Sequence, residues 1–351
     1  MTVANGWATR RDFMAALGAA GISVLGKVGV SSAAVQGRAA NAPTDARRRI
    51  DVHHHILPAE YVRLVGAIFP LGRGTQSGTL PTWDVAASLR LMDERGVSAA
   101  VVSVSAPGLW FNDVPLAQRL ARSCNEFAAQ MSADHPTRFG FFASLPLPDV
   151  KAAITELTHA VEQLHCDGVV LMTNYGNRYL GDREFGPLFD ALNQRRVVVF
   201  VHPTVCDCDL DVLPGFAPPI IEFPHSTTRA VVSLLNSNTF VRCPNIRFIF
   251  AHAGGTIPFL AKRITRAKAE WRSILQHLYY DTASSADAAV FSSLLKLVTS
   301  KEILLGTDFP FAPPDSVRAN LDDLQTLGLS DAELRDIDRG NAASLFPRFA
   351  G

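Results

Sequence analysis

Eight short runs of β-branched, aromatic and aliphatic residues recur through this chain, separated by stretches of helical periodicity. The runs are Ile50–His53, Ala99–Val104, Phe139–Ala143, Gly168–Met172, Val197–His202, Ile246–His252, Leu278–Asp281 and Ile303–Asp308. Helical patterns fall between them, for example at Asp84–Arg95, Pro115–His135, Val150–Leu164 and Phe185–Arg195. A strand that is apolar on both faces needs cover on both, which a parallel sheet wrapped by helices provides. Eight βα repeats over about 300 residues predict an α/β fold, a TIM-type (β/α)8 barrel, with a doubly wound sheet as the runner-up. Placement separates the two: in a barrel, polar residues ending several different strands meet at one mouth.

Two insertions interrupt the alternation. Residues 57–82 carry Gly72, Gly74 and Gly78 and read as a long loop after the first strand. Residues 203–223, with Pro214, Pro218 and Pro219 and with Pro224 just beyond, read as another after the fifth. Long loops at the C-terminal mouth of a barrel are where pockets are built.

Composition narrows the function classes. The 351 residues are 48% hydrophobic and 19% charged, enough apolar material for a large core. Lys+Arg and Asp+Glu each number 33, so zero net charge argues against a nucleic-acid partner or a polybasic membrane role. Cys124, Cys166, Cys206, Cys208 and Cys243 form no regular framework, and the lone CxC at Cys206 does not read as a thiolate zinc site. No GxSxG, P-loop or HExxH occurs, and Gly181-Asp182-Arg183-Glu184 lacks dinucleotide-binding spacing.

Residues 1–42 read differently from the rest. Arg10 and Arg11 precede the mildly apolar, Gly/Ala-rich stretch Ala15–Gly26, and Ala40-Asn41-Ala42 offers a peptidase site. This pattern is similar to a twin-arginine export signal followed by a linker, which predicts a periplasmic or otherwise exported protein. The alternative is an N-terminal arm on a cytoplasmic protein. The apolar stretch is too short and interrupted for a stable membrane span. Residues 43–351 are then the barrel domain.

Chemistry-bearing residues punctuate the strand ends. In Asp51-Val52-His53-His54-His55, an extended backbone points His53 and His55 to one face and His54 to the other. His53 and His55 are therefore candidate ligands of one cation, and His54 a packed or hydrogen-bonded histidine. His202 ends the fifth run, where the competing role is to stabilise the turn before Pro203. His252, ahead of Gly254 and Gly255, fits either a ligand or a group bonded to metal-bound water or substrate, and the second is preferred. Asp308 ends the eighth run and fits a ligand that also handles a proton. Asp281, ending the seventh, either holds His252 or the cluster in place or is structural. Three imidazoles and a carboxylate suit Zn2+, with Mn2+ or another divalent metal as alternatives. The fourth run ends in Met172-Thr173-Asn174 without a lysine to bridge two ions, which favours a single one.

Together these pieces resemble the amidohydrolase-related metal-dependent decarboxylases, the group of aminocarboxymuconate-semialdehyde, γ-resorcylate and 6-methylsalicylate decarboxylases. The matching segments are Asp51–His55, Tyr179–Asp182, Phe200–Pro203, Phe250–Gly255 and Leu305–Asp308, spread from Ile50 to Phe346. Their order is specific for the family and only weakly so for a substrate. The resemblance implies that His53, His55, His202 and Asp308 bind the metal and that His252 acts in catalysis beside it. It also implies a homodimer in which Arg263 reaches the partner's site, with an ordinary surface arginine as the alternative. Segment Ile220–Ala230 looks most like the 6-methylsalicylate branch and offers pocket wall, with Arg229 as a candidate for carboxylate recognition and plain helical surface as its alternative. Trp110, Phe111 and Phe311 follow strands and are candidates to sandwich an aromatic ring, core packing being the competing role.

The resulting expectation is a carboxy-lyase that removes CO2 from a small aromatic or unsaturated carboxylic acid, most of all a 6-methylsalicylate-like ortho-hydroxybenzoate, without an organic cofactor. The same ligands would equally serve a hydrolase of an ester, lactone or amide through metal-activated water. A non-catalytic periplasmic binding module ranks third.

Overall fold

The computed structural model describes residues 48–68, 80–206 and 217–351. The export-signal reading of residues 1–42 lies outside the described residues, as do Gly72, Gly74, Gly78, Cys208 and Pro214. Eight parallel strands lie side by side in chain order: β1 (Arg49–His55), β2 (Val97–Ser103), β3 (Phe139–Ser144), β4 (Gly168–Met172), β5 (Val198–His202), β6 (Arg247–Phe250), β7 (Tyr279–Asp281) and β8 (Ile303–Leu304). The segment after β8 joins the sheet to its first strand. Val52 N–H donates to Leu305 O at 2.9 Å, Asp308 N–H to His53 O at 2.7 Å and His55 N–H to Phe309 O at 2.7 Å. These bonds bring the two edges together and give the (β/α)8 barrel that the alternation predicts.

Helices follow the strands as the sequence pattern requires. They begin with α1 (Ala59–Ile68), α2 (Val85–Glu94), α3 (Val114–Asp134), α4 (Val150–Glu162) and α5 (Gly186–Gln194), and continue with α6 (Pro218–Asn236) and α7 (Ile257–Thr265). Three start on the same device: Asp84, Asp113 and Asp149 accept the backbone N–H of Ala87, Leu116 and Ala152. Each such cap is worth about 1 kcal/mol and fixes where the chain turns from loop into helix. Strand side chains such as Val101, Phe141, Val169, Val199 and Phe250 are fully buried and belong to one continuous apolar core.

Three expectations need correction. The residues after Phe250 and Leu304 are not strand, and His252 (φ 55°) and Asp308 (φ 62°) adopt left-handed backbone. Both side chains are therefore aimed by turns beyond the strand ends. Residues 57–82 are not simply loop, because Tyr61 and Val65, four apart, bury one face of α1. Likewise α6 starts inside the second insertion. Pro218 and Pro219 occupy its first turn, where a missing N–H costs nothing, and Pro224 sits inside the helix. No helix among the described residues is long and apolar enough to cross a membrane.

Candidate metal centre

The mouth of the barrel gathers the residues that the strand ends single out. Strand β1 carries His53 and His55 into the interior, their Nε2 atoms 3.0 Å apart and both side chains without exposure. His202, the last residue of β5, brings its ring centroid to 5.1 Å from that of His53 and 4.8 Å from that of His55. Asp308 Oδ1 lies 3.4 Å from His53 Nε2 and 3.2 Å from His55 Nε2, while its Oδ2 lies 3.5 Å from His252 Nε2. His53, His202, His252 and Asp308 each present one donor atom, all within 4.8 Å of one another. His55 adjoins this group through His53 and Asp308.

Close approach of the elements depends on two glycines. A Cβ at Gly306 would stand 2.8 Å from His53 Cβ, so only glycine lets the chain after β8 pass so near β1. At Gly255 (φ 63°) a Cβ would meet the Pro224 carbonyl oxygen at 2.2 Å, so glycine also seats the His252 turn against α6.

The hydrogen bonds fix which ring nitrogens face inward. His202 Nδ1 lies 2.8 Å from Pro203 O, and a carbonyl only accepts, so that nitrogen carries the proton. His53 Nδ1 lies 2.7 Å from the Asp281 carboxylate, and His55 Nδ1 lies 3.1 Å from Ser103 Oγ and 3.3 Å from Ser103 O. All three imidazoles thus donate outward through Nδ1 and turn Nε2 toward one point. His202 Nε2 is buried with no hydrogen-bond partner. A buried lone pair facing other lone pairs is unfavourable unless a cation stands between them. Ligands about 2.1 Å from a common ion lie roughly 3.0–3.4 Å from one another, close to the separations seen here. The residues therefore fit a divalent ion.

Charge states follow from the same contacts. Burial pushes His55 down to about 4 and holds His202 well below the ordinary histidine value, with neighbouring imidazoles adding to the effect on His202. Both are neutral and ready to donate electron pairs. Burial also opposes charge on His53, but the Asp281 carboxylate, helped by Asp308, outweighs it and raises that imidazole to about 10. Withdrawal from water opposes charge on the partly buried Asp308 too, yet bonds from His252, His53 and His55 hold it well below the ordinary carboxylate range. In the metal-free protein a proton on His53 stands where the ion would.

A cavity of about 640 Å3 opens above this floor. His202, His252 and Asp308 form its polar end, with Ser105, Ser284 and Ser285 nearby. Phe223, Pro224, Ile220, Pro310, Val290 and Phe311 form its walls. Phe311 also sets its ring edge-on to His55 at 5.5 Å. Trp110 and Phe111 are half-buried against the core and do not line the cavity. Asp281 is fully buried behind His53 rather than in the pocket, where its Oδ1 accepts the His252 N–H at 2.9 Å. Arg229 is exposed and reaches Tyr179 Oη at 3.4 Å, outside the lining. It lies six residues beyond Phe223 and is turned about 120° from it around α6. Arg263 is exposed on α7 and also outside the lining. The three serines escaped the sequence reading because nothing local distinguishes a loop serine at a cavity from any other.

Residues 50–348 match the amidohydrolase family, Amidohydro_2. The chain belongs to this family. It is 38% identical over 327 residues to the decarboxylase yanB of Aspergillus niger, covering 86% of this chain and 88% of that protein. It is 34% identical over 319 residues to the 6-methylsalicylic acid decarboxylase of Penicillium expansum, covering 86% and 97%. Among solved structures, the dihydroxybenzoic acid decarboxylase of Polaromonas sp., crystallised with manganese and 2-nitroresorcinol, shares the fold with a TM-score of 0.73 at 24% identity, over 85% of this chain and 96% of that one.

Proposed function

We propose that this amidohydrolase-family protein is a metal-dependent decarboxylase of a small ortho-hydroxylated aromatic acid of the 6-methylsalicylate kind. The observation that carries the reading is the unpartnered His202 Nε2, which faces His53, His55 and Asp308 at the floor of an apolar-walled cavity. Further support comes from the relatives of Aspergillus and Penicillium, which are decarboxylases that match over most of their length.

His53, His55, His202 and Asp308 would hold one divalent ion, with His252 beside it. Zinc suits this nitrogen-rich donor set, and manganese, the metal of the Polaromonas neighbour, is the alternative. When bound, such an ion would supply positive charge at the polar end of the cavity and so offset negative charge growing on the substrate's oxygens. The apolar walls orient the ring and its methyl-type substituent and keep water away. The Asp308 carboxylate accepts the phenolic proton and returns it to the ring carbon that bears the carboxylate. As that C–H bond forms, the C–C bond to the carboxylate breaks. Its electron pair restores the aromatic ring and CO2 leaves. The phenoxide product recovers a proton from water. His252 Nε2 steadies Asp308 and the polar end of the substrate.

The test pairs metal analysis with CO2 release over a panel of hydroxybenzoates. One equivalent of metal and stoichiometric CO2 from 6-methylsalicylate are expected. If every acid came back unchanged while esters or lactones turned over, the hydrolase reading would replace this one.

We also propose export by the twin-arginine route and a homodimer, supported by Arg10-Arg11 with the stretch that follows and by the family resemblance. Fractionation of expressing cells and light scattering of the purified protein test the two separately.

A further inference from the structure

Behind the candidate metal centre lies a second buried polar cluster that the mechanism above does not use. Asp51, at the start of the histidine run, takes four hydrogen bonds. Its Oδ1 accepts the backbone N–H of His53 at 3.0 Å and of Thr307 at 3.1 Å, and its Oδ2 accepts the Thr307 hydroxyl at 2.6 Å and His54 Nδ1 at 3.0 Å. His54 Nε2 lies 2.9 Å from Ser88 Oγ, which accepts the Trp83 indole N–H at 2.8 Å. The indole only donates and the carboxylate only accepts, so the chain runs one way, from Trp83 through Ser88 and His54 to Asp51. Asp51, His54 and Ser88 have no exposure, and Thr307 has 2%.

This chain ends at the two segments that carry His53 and Asp308. Asp51 ties the backbone of β1 at His53 to Thr307, the residue before Asp308. Asp308 N–H then donates back to His53 O at 2.7 Å. The clamp matters because Asp308 has φ 62°, a conformation that a non-glycine residue leaves unless its surroundings hold it. Freed to relax to ordinary backbone, its carboxylate would swing away from the histidines.

We propose that Asp51, Thr307 and His54 are positioning residues: a hydrogen-bonded clamp that sets the Asp308 carboxylate against His53 and so fixes the geometry and affinity of the metal site. The proposal rests on the metal site of the preceding subsection. His54, which points away from the cavity, thereby gains a role that its neighbours' chemistry had obscured.

Thr307→Val removes the hydroxyl while keeping the side chain's shape, and Thr307→Ser restores it. The probe is Co2+ added to the full-length metal-free protein, read by competition against a chromophoric chelator and by the visible absorption of the bound ion. Thr307→Val is expected to weaken Co2+ binding about 10-fold or more and to change the absorption band, with Thr307→Ser returning both to within about 3-fold of wild type. A Thr307→Val protein that melts at lower temperature without metal, yet binds Co2+ with wild-type affinity and absorption, marks an ordinary structural bond and overturns the proposal. Should Thr307→Val not fold, Ser88→Ala carries the same test from the far end of the chain. A smaller shift in the same direction supports the clamp, and unchanged affinity and absorption overturn it. Neither readout needs turnover, so a wild-type protein that binds Co2+ but releases no CO2 would sink the decarboxylase reading and leave the clamp standing.

Discussion

The Asp281 carboxylate lies 2.7 Å from Nδ1 of His53, and neither side chain touches solvent. The pair fixes Nδ1 as the outward donor, so that the ring's other nitrogen is turned to the cavity floor. Because the second carboxylate oxygen accepts the His252 N–H, one buried side chain orients two members of the cluster. Asp281→Asn keeps the size and loses the charge. Metal affinity is expected to fall about 10- to 100-fold, the usual cost of losing a carboxylate behind a ligating histidine. Competition with a chelator measures it, and unchanged affinity would show that the tautomer is set elsewhere.

Loading the site should release a proton. In the metal-free protein the carboxylates of Asp281 and Asp308 outweigh burial and raise His53 to about 10 from 6.5, and a bound ion must displace the proton on Nε2. The sign for stability follows from linkage. A raised folded-state value contributes stability that is fully present below 6.5 and is lost as pH rises through about 10. The metal-free protein should therefore lose Tm across that window by more than the loaded protein does. Calorimetry in buffers of different ionisation enthalpy counts the released proton, and a count of zero near pH 8 would contradict the charge assigned to His53.

Much of this is legible in the sequence. Alternation along β1 separates His53 and His55 from His54, and His202 ends a strand that its apolar run announces. The sequence sets His252 and Asp308 at the ends of the sixth and eighth runs, but their left-handed turns are not legible there, because such turns are imposed by partners distant in sequence. Asp308 is held through Asp51, 257 positions earlier, by way of Thr307. Asp281 was ambiguous because parity on a three-residue strand cannot be assigned without its neighbours' register. Prolines in the second insertion suggested loop, whereas the first turn of α6 accommodates two of them. The aromatic residues were a weak guide: Phe311 lines the cavity, while Trp110 and Phe111 pack against the core, and local sequence does not distinguish the two fates.

Phe311 tests the cavity wall. Its ring lies edge-on to His55 and faces the space above Asp308, so Phe311→Ala removes apolar surface from an aromatic ligand without removing a donor. KM for an ortho-hydroxybenzoate is expected to rise roughly 10-fold, in line with the 0.5–1.5 kcal/mol of an aromatic pair plus some lost burial. Metal content should stay at one equivalent. Steady-state kinetics with parallel metal analysis separates the two, and loss of the metal would mean that the ring supports His55 rather than the substrate.

Gly306→Ala makes the strictest demand on the geometry. The added methyl would sit 2.8 Å from His53 Cβ and 3.2 Å from both Ala283 Cβ and Asp281 Cβ, each the first side-chain atom off the backbone. None of these atoms is the end of a flexible side chain, so β1 and the segment after β8 must separate. Overpacking of this kind costs about 1–3 kcal/mol. The displacement falls on the residues that carry His53 and Asp308, so the damage should exceed what stability alone explains. Metal affinity is expected to drop at least about 10-fold in protein that remains folded by circular dichroism, since a small displacement of a ligand is costly at a site of fixed geometry. A variant that loses Tm yet binds metal as tightly as wild type would show that the ligands tolerate separation of the two segments.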